Sequence, residues 1–208
     1  MKLPLELNEN PEWVFLGPMG PEIPVSMSVH PLLCVDGGAH FTKSSDVWIG
    51  DKDSFHGEIN SKHTFHFSTH KDKSDLSLAF DLIQSQTSKT LHLWGFLGGR
   101  KDHEIFNLGE GLRFLENQPE SLIKFYDYEG RMTFLLMSEG NWKISHHGLF
   151  SIGCLKEVEL KLTGDCAYPL LNRSTIQPFS SHGLSNVAKG TLEIDVSGPI
   201  FIYFPEAI

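Results

Sequence analysis

Leu91-His-Leu-Trp-Gly-Phe-Leu97, Gly98-Gly-Arg100 and Lys101-Asp-His103 follow one another without a break. An apolar run of strand length ends in two glycines and an arginine, and Asp102 then stands where a helix cap belongs. Beyond it Ile105, Leu108, Leu112 and Leu115 recur at the spacing of one helical face. A glycine turn with an arginine between a strand and a helix start is how a phosphate-handling corner is usually built. A plain strand-to-helix turn with a surface arginine has the same sequence, so this corner has to be weighed with its neighbours.

Three similar corners lie upstream. Leu32-Leu-Cys-Val35 is an apolar run stopped by Asp36-Gly-Gly38, and Val47-Trp-Ile49 ends in Gly50-Asp51. Lys71-Asp-Lys-Ser-Asp75 precedes a helical face of Leu76, Ala79, Phe80 and Ile83, with Asp72 or Ser74 as the cap. With a first strand at Trp13-Val-Phe-Leu16, strands alternate with helices, which predicts an α/β domain with a mostly parallel sheet over residues 1–130. After about residue 120 the pattern changes. Leu122–Tyr128 and Arg131–Leu136 read as strand, turn, strand, and short strands follow at Phe150–Ile152, Val158–Leu162, Thr191–Val196 and Pro199–Phe204. Residues 131–208 are therefore expected to form an all-β, sandwich-like domain.

Composition narrows the function classes. The chain has 208 residues, 40% hydrophobic, with a formal net charge of −9, which argues against broad binding to nucleic acid or to an anionic membrane. A local Lys/Arg pair or a divalent cation can still reverse the field inside one cleft. The N-terminus lacks the apolar core of a signal peptide, and no run approaches the ~20 apolar residues of a membrane span, so a cytoplasmic location is expected. Cys34, Cys154 and Cys166 are odd in number and widely spaced, which favours buried reduced thiols over a disulfide framework or a zinc site. His63, His66, His70 and the pair His146-His147 lack acidic or cysteine neighbours to complete a metal site and read as surface or strand-edge histidines. Neither a P-loop nor a Gly-x-Ser-x-Gly elbow is present.

The chemistry collects in the corners. Asp51 and Asp53, two apart, point to one side of an extended segment and can bind one hard cation, or they form a polar turn. Asp72 and Asp75 lie three apart at a helix start, near enough to face one cleft or simply to cap the helix. Lys71 and Lys73 can hold phosphate oxygens or stand in solvent. Gly98 and Gly99 let backbone approach a phosphate while Arg100 supplies paired donors.

Taken as a set, Asp36-Gly-Gly-Ala39, Gly50-Asp-Lys-Asp-Ser54, Lys71-Asp-Lys-Ser-Asp75 and Gly98-Gly-Arg-Lys-Asp-His103 resemble the thiamine pyrophosphokinase family in order and separation. Serine stands for threonine in the third motif and keeps the hydroxyl. Phe150-Ser-Ile152, Leu162-Thr-Gly164 through Tyr168-Pro-Leu170, and Gly183-Leu-Ser-Asn186 look like that family's C-terminal landmarks. The resemblance implies transfer of pyrophosphate from ATP, the co-substrate, to the hydroxyl of thiamine, giving thiamine diphosphate and AMP. It implies Mg²⁺ held by Asp51, Asp53 and Asp75, phosphate contacts from Lys71 and Arg100, and close nucleotide approach at Asp36, Gly37 and Gly38 and at Gly98 and Gly99. It further implies that Asp72 and Asp102 orient metal-bound water or accept the alcohol proton, that Ser185 and Asn186 contact thiamine, and that the site is completed in a homodimer. A related diphosphotransferase acting on another alcohol, such as a pterin, and a non-catalytic nucleotide- or thiamine-binding regulatory protein are the alternatives.

Overall fold

The computed structural model describes residues 2–21, 27–52, 57–85 and 87–206. Strands β1 (Glu12–Leu16), β2 (Leu32–Val35), β3 (Ser45–Gly50), β4 (Ser61–His66), β5 (Thr90–Trp94) and β6 (Leu122–Tyr126) pair in parallel in the order β6-β5-β1-β2-β3-β4. Helix α1 (Leu5–Asn8) precedes β1, and α2 (Asp75–Ile83) and α3 (Lys101–Leu115) follow β4 and β5. The remaining strands are β7 (Met132–Met137), β8 (Gly140–Gly153), β9 (Val158–Cys166), β10 (Leu170–Ile176), β11 (Asn186–Val196) and β12 (Ile200–Tyr203).

These strands do not form a sheet of their own. β7 folds back antiparallel on β6, β12 pairs with β7, and β8 carries the ladder onward, so all twelve join edge to edge as β10-β9-β11-β8-β12-β7-β6-β5-β1-β2-β3-β4. The expected α/β domain with a mostly parallel sheet beside a separate β-sandwich-like domain is therefore corrected to one mixed, mostly β sheet with few helices. Of its eleven pairings, six are antiparallel and five parallel. The cause is local. β6 would otherwise end the parallel run with a row of unpaired backbone groups, and the tight turn at Gly130 returns the chain to cover that edge. β8 makes the second join: Ser151–Gly153 pairs with β12, whereas Gly140–Phe150 pairs with β11.

Alternation within the short parallel strands serves two faces. Trp13, Phe15, Leu33, Val35, Ile49, Leu91 and Leu93 pack with α2 and α3, and Phe80 stacks between Phe15 and Phe114 at centroid distances of 5.8 and 4.9 Å. Val14, Leu16, Cys34, Trp48 and Trp94 face the other way. Of the expected face of α3, Leu112 and Leu115 are buried and Leu108 packs partly buried against the same core, whereas Ile105 is exposed; Phe114 adds a buried ring. Burial pushes the Cys34 thiol up to about 12, and all three cysteines are free. His146 lies in the interior against Phe204, 4.7 Å between centroids, and not on the surface. Buried Lys89 donates to the carbonyls of Asn8 and Asn10 and so pins α1 beneath the sheet. Among the described residues no helix is long and apolar enough to cross a membrane.

Where β1, β2 and β5 end, backbone meets backbone. A Cβ on Gly38 would overlap the Leu16 carbonyl oxygen, and one on Gly95, which has φ +79°, would overlap the Gly20 nitrogen. Gly17 N–H donates to Trp94 O at 2.7 Å and Met19 N–H to Gly95 O at 3.1 Å, which ties the loop after β1 to the end of β5. Gly38→Ala is accordingly expected to cost about 3 kcal/mol, read as a fall in the urea unfolding midpoint; an unchanged midpoint would show that the turn yields freely.

On the face away from the helices, His92 is 2% exposed, with Nε2 2.8 Å from Glu12 Oε1 and Nδ1 2.8 Å from the Tyr126 hydroxyl. A carboxylate accepts, so in the neutral ring Nε2 carries the proton and Tyr126 donates to Nδ1. Burial holds the His92 pKa below its ordinary value despite the opposing pull of Glu12. The unfolded chain takes up the proton near pH 6.5, whereas the folded chain resists it. Stability owed to the neutral ring is complete above that pH and is lost as pH falls through 6.5 toward the lower folded value, by up to about 1.4 kcal/mol per pH unit. His92→Phe should flatten the acid side of a plot of unfolding free energy against pH; an identical slope in the variant would place the sensitivity elsewhere.

Candidate active site

β2, β3 and β4 step away from β1 on one side, and β5 and β6 lie on the other, so the strand order reverses between β1 and β5. Open parallel arrays bind ligands at such a reversal, beyond the carboxyl ends of the strands. Asp36 follows β2, Asp51 follows β3 and Gly95 follows β5, so parallel pairing puts all three on that one edge.

A cleft of about 420 Å³ opens there, and its walls include Asp36, Lys71, Asp75, Gly99, Arg100 and Glu104. Asp36 is buried in a left-handed conformation, φ +43°, and Trp48 Nε1 donates to its carbonyl at 3.1 Å. Gly37 and Gly38 are buried in the 3-10 turn that it begins. Lys71 Nζ is ion-paired with Asp51 and lies 3.2 Å from Asp75 Oδ1, and the exposed fractions of the Asp51 and Lys71 side chains are only 7% and 15%. Burial opposes the lysine charge, but the two carboxylates outweigh it and raise its pKa. Burial likewise pushes the Asp75 carboxyl above the ordinary range, against the pull of Lys71. Ser74, not Asp72, caps α2: its hydroxyl accepts from Ser77 N–H at 3.1 Å.

Two carboxylates converging on one ammonium make a donor set suited to a hard divalent cation, which likewise prefers carboxylate oxygen. Asp53, expected beside Asp51, lies outside the described residues. Among the described residues no three His, Cys, Asp or Glu side chains form a ready metal cluster.

The glycine corner after β5 is already engaged by acids of α3. Arg100 donates from Nε to Asp102 Oδ1 at 3.1 Å and from Nη2 to Asp102 Oδ2 at 2.5 Å, and this pairing holds the Asp102 carboxyl down to about 2. Gly98, at φ +89°, donates its N–H to Glu104 Oε1 at 2.5 Å. Asp72 and Asp102 do not line the cleft; they border a neighbouring groove of about 470 Å³ between α2 and α3. Ser185 and Asn186 lie far along the chain at the start of β11 and also stay out of the cleft. Asn186 Oδ1 accepts from the N–H groups of Tyr168 (3.0 Å) and Val187 (2.8 Å), and its Nδ2 donates to Tyr168 O at 2.8 Å. Ser185 has φ +58°, and its N–H donates to Ser151 Oγ at 3.0 Å.

Sequence reasoning missed Pro18 and Met19, which wall the cleft from the loop after β1, and Asn107, whose Nδ2 ties α3 to Phe96 O at 2.9 Å. It also missed Glu104, although an acid in the first turn of a helix behind a glycine loop was a readable signal.

Residues 27–123, which carry most of this cleft, match the family model for the catalytic domain of thiamin pyrophosphokinase. No curated protein sequence is significantly similar to the chain. Among solved structures, thiamine pyrophosphokinase from Bacillus subtilis superposes with a TM-score of 0.67 at 20% identity, covering 92% of this chain and 98% of that one. The enzyme from Geobacillus thermodenitrificans gives 0.66 at 21% identity, with 95% and 100% covered. That from Candida albicans gives 0.68 at 14% identity, with 97% and 90% covered. At these identities the likeness speaks for the fold. Residues 27–123 thus match the catalytic-domain model of the thiamin pyrophosphokinase family, and the whole chain shares the fold of those solved enzymes.

Proposed function

We propose that this chain transfers pyrophosphate from ATP to the hydroxyl of thiamine, giving thiamine diphosphate and AMP, as a homodimer in the cytoplasm. Residues 1–130 supply the ATP and Mg²⁺ cleft and residues 131–208 the thiamine surface. The observation that carries the reading is the meeting of Asp36, Lys71, Asp75, Gly99 and Arg100 in one cleft, inside the segment matched by the family.

In this reaction the thiamine oxygen forms a bond to the β-phosphorus, the bond from that phosphorus to the oxygen bridging to the α-phosphate breaks, and AMP leaves with that oxygen. Charge grows on the bridging and non-bridging oxygens, so positioning and electrostatic stabilisation dominate the chemistry. Asp51, Asp53 and Asp75 would hold Mg²⁺, which supplies neutralising charge to the triphosphate. Lys71 and Arg100 bind phosphate oxygens, and the turns at Asp36–Gly38 and Gly98–Gly99 admit the nucleotide close to the backbone. Asp72 and Asp102 are the two acids considered for orienting metal-bound water or accepting the alcohol proton; Asp102 is engaged by Arg100 and becomes available only when Arg100 turns to phosphate. Ser185 and Asn186 meet thiamine on a surface that the partner copy brings to the cleft.

Purified protein given ATP, Mg²⁺ and thiamine should yield thiamine diphosphate and AMP in equal amounts by chromatography. ADP with thiamine monophosphate would refute pyrophosphoryl transfer. Asp51→Asn should keep its melting temperature within a few degrees but lower kcat about 100-fold or more. Near-wild-type turnover would remove Asp51 from the phosphate-handling set.

A further inference from the structure

Each described lysine and arginine in the cleft wall has a carboxylate of its own. Lys71 is held by Asp51 and Asp75, Lys73 by Asp81 at 2.5 Å, and Arg100 by Asp102. The formal charges of the lining cancel, with Lys71, Lys73 and Arg100 set against Asp36, Asp75 and Glu104. Asp75 is held by Lys71, whereas Glu104 pairs with none of these three cations. One of its oxygens accepts the Gly98 N–H at 2.5 Å, and the other meets Lys101 at 2.8 Å, a lysine outside the cleft wall and largely in solvent. Its side chain is mostly buried, with 18% exposed.

Gly98 adjoins the lining residue Gly99 and offers a backbone N–H to an incoming phosphate. It has φ +89°, no atom of the described residues other than its chain neighbours lies within 4 Å of where a Cβ would be, and its N–H sits just ahead of the first turn of α3. A carboxylate oxygen on that N–H takes the place a phosphate oxygen would otherwise fill, and it adds a negative charge where a polyanion must enter. We propose that Glu104 is an internal rival of the nucleotide's phosphates: it holds the Gly98 N–H in the free chain and must swing out when triphosphate binds. Glu104 thereby sets the affinity of the cleft for polyphosphate. This rests on the reading that the cleft binds a triphosphate.

Glutamine separates this role from simple loop capping, because it keeps an oxygen for Gly98 N–H and removes only the charge. Inorganic tripolyphosphate with Mg²⁺, titrated calorimetrically into the full chain, should bind Glu104→Gln and Glu104→Ala about threefold to tenfold tighter than wild type at low salt, with the gain shrinking as salt rises. KM for ATP should fall while kcat stays level or drops. Unchanged or weaker binding in Glu104→Gln, or weakening in Glu104→Ala that Glu104→Gln restores to the wild-type level, would overturn the inference and leave Glu104 a loop cap. The proposed reaction is judged separately. Tighter tripolyphosphate binding in a chain that makes no thiamine diphosphate would uphold the rivalry and remove the reaction. Normal turnover with no change in binding would uphold the reaction and remove the rivalry.

Discussion

The cleft depends on backbone meeting backbone where the strands end. At Gly38 only a hydrogen can face the carbonyl of Leu16, and at Gly95 only a hydrogen can face the loop residue Gly20. These contacts bring the ends of β1, β2 and β5 closer than side chains allow, and interiors packed this tightly pass displacements on instead of absorbing them. Asp36, two residues before Gly38, is thereby held buried and left-handed with its carbonyl on the Trp48 indole. The glycine corner after Phe96 inherits its place from the same anchor, since the loop carrying Met19 is bonded to Gly95.

Charge pairing forms the second layer. A chain of net charge −9 presents a polyanion with an unfavourable field, and burying lone lysines in the cleft would cost several kcal/mol each. Setting Lys71 between Asp51 and Asp75 avoids that cost. Under the proposed reaction the same pairing would leave Asp51 and Asp75 to hold a divalent cation and Lys71 to meet phosphate. Arg100 with Asp102 follows the same arrangement at the surface, where solvent makes the pairing worth less.

What the sequence disclosed, and what it hid, follows from the range of the forces involved. The glycine corners were readable because glycine and aspartate punctuate short apolar strands locally, and Asp36, Lys71, Asp75, Gly99 and Arg100 do share one cleft. Asp72 and Asp102 were drawn toward the same cleft by their neighbours in sequence, but they border the groove between α2 and α3. One or two residues at a helix start are enough to turn a side chain to another face. The continuous mixed sheet was hidden for a different reason. Whether β7 covers the edge of β6 is a long-range pairing, and a strand-turn-strand pattern reads the same in a separate domain. β10, with only Ile176 fully buried, carried too little apolar signal to be seen.

The β-rich end bears on recognition through the hydrogen-bonding capacity of Asn186. Its amide oxygen already accepts two N–H groups, and its amide hydrogens are drawn to Tyr168 O and toward the Cys166 thiol, so the side chain is held by its own surroundings. If this surface meets thiamine, Asn186 acts as a fixed post that shapes it, and the free hydrogen-bonding groups have to come from Ser185 or the nearby backbone. The left-handed conformation of Ser185, held by its N–H on Ser151, is a strain that a serine in a plain turn has no reason to keep. Neither residue reaches the cleft within one chain, so under the proposed function thiamine recognition and phosphate handling would sit on different parts of the sheet, and the proposed homodimer is the arrangement that would bring them together.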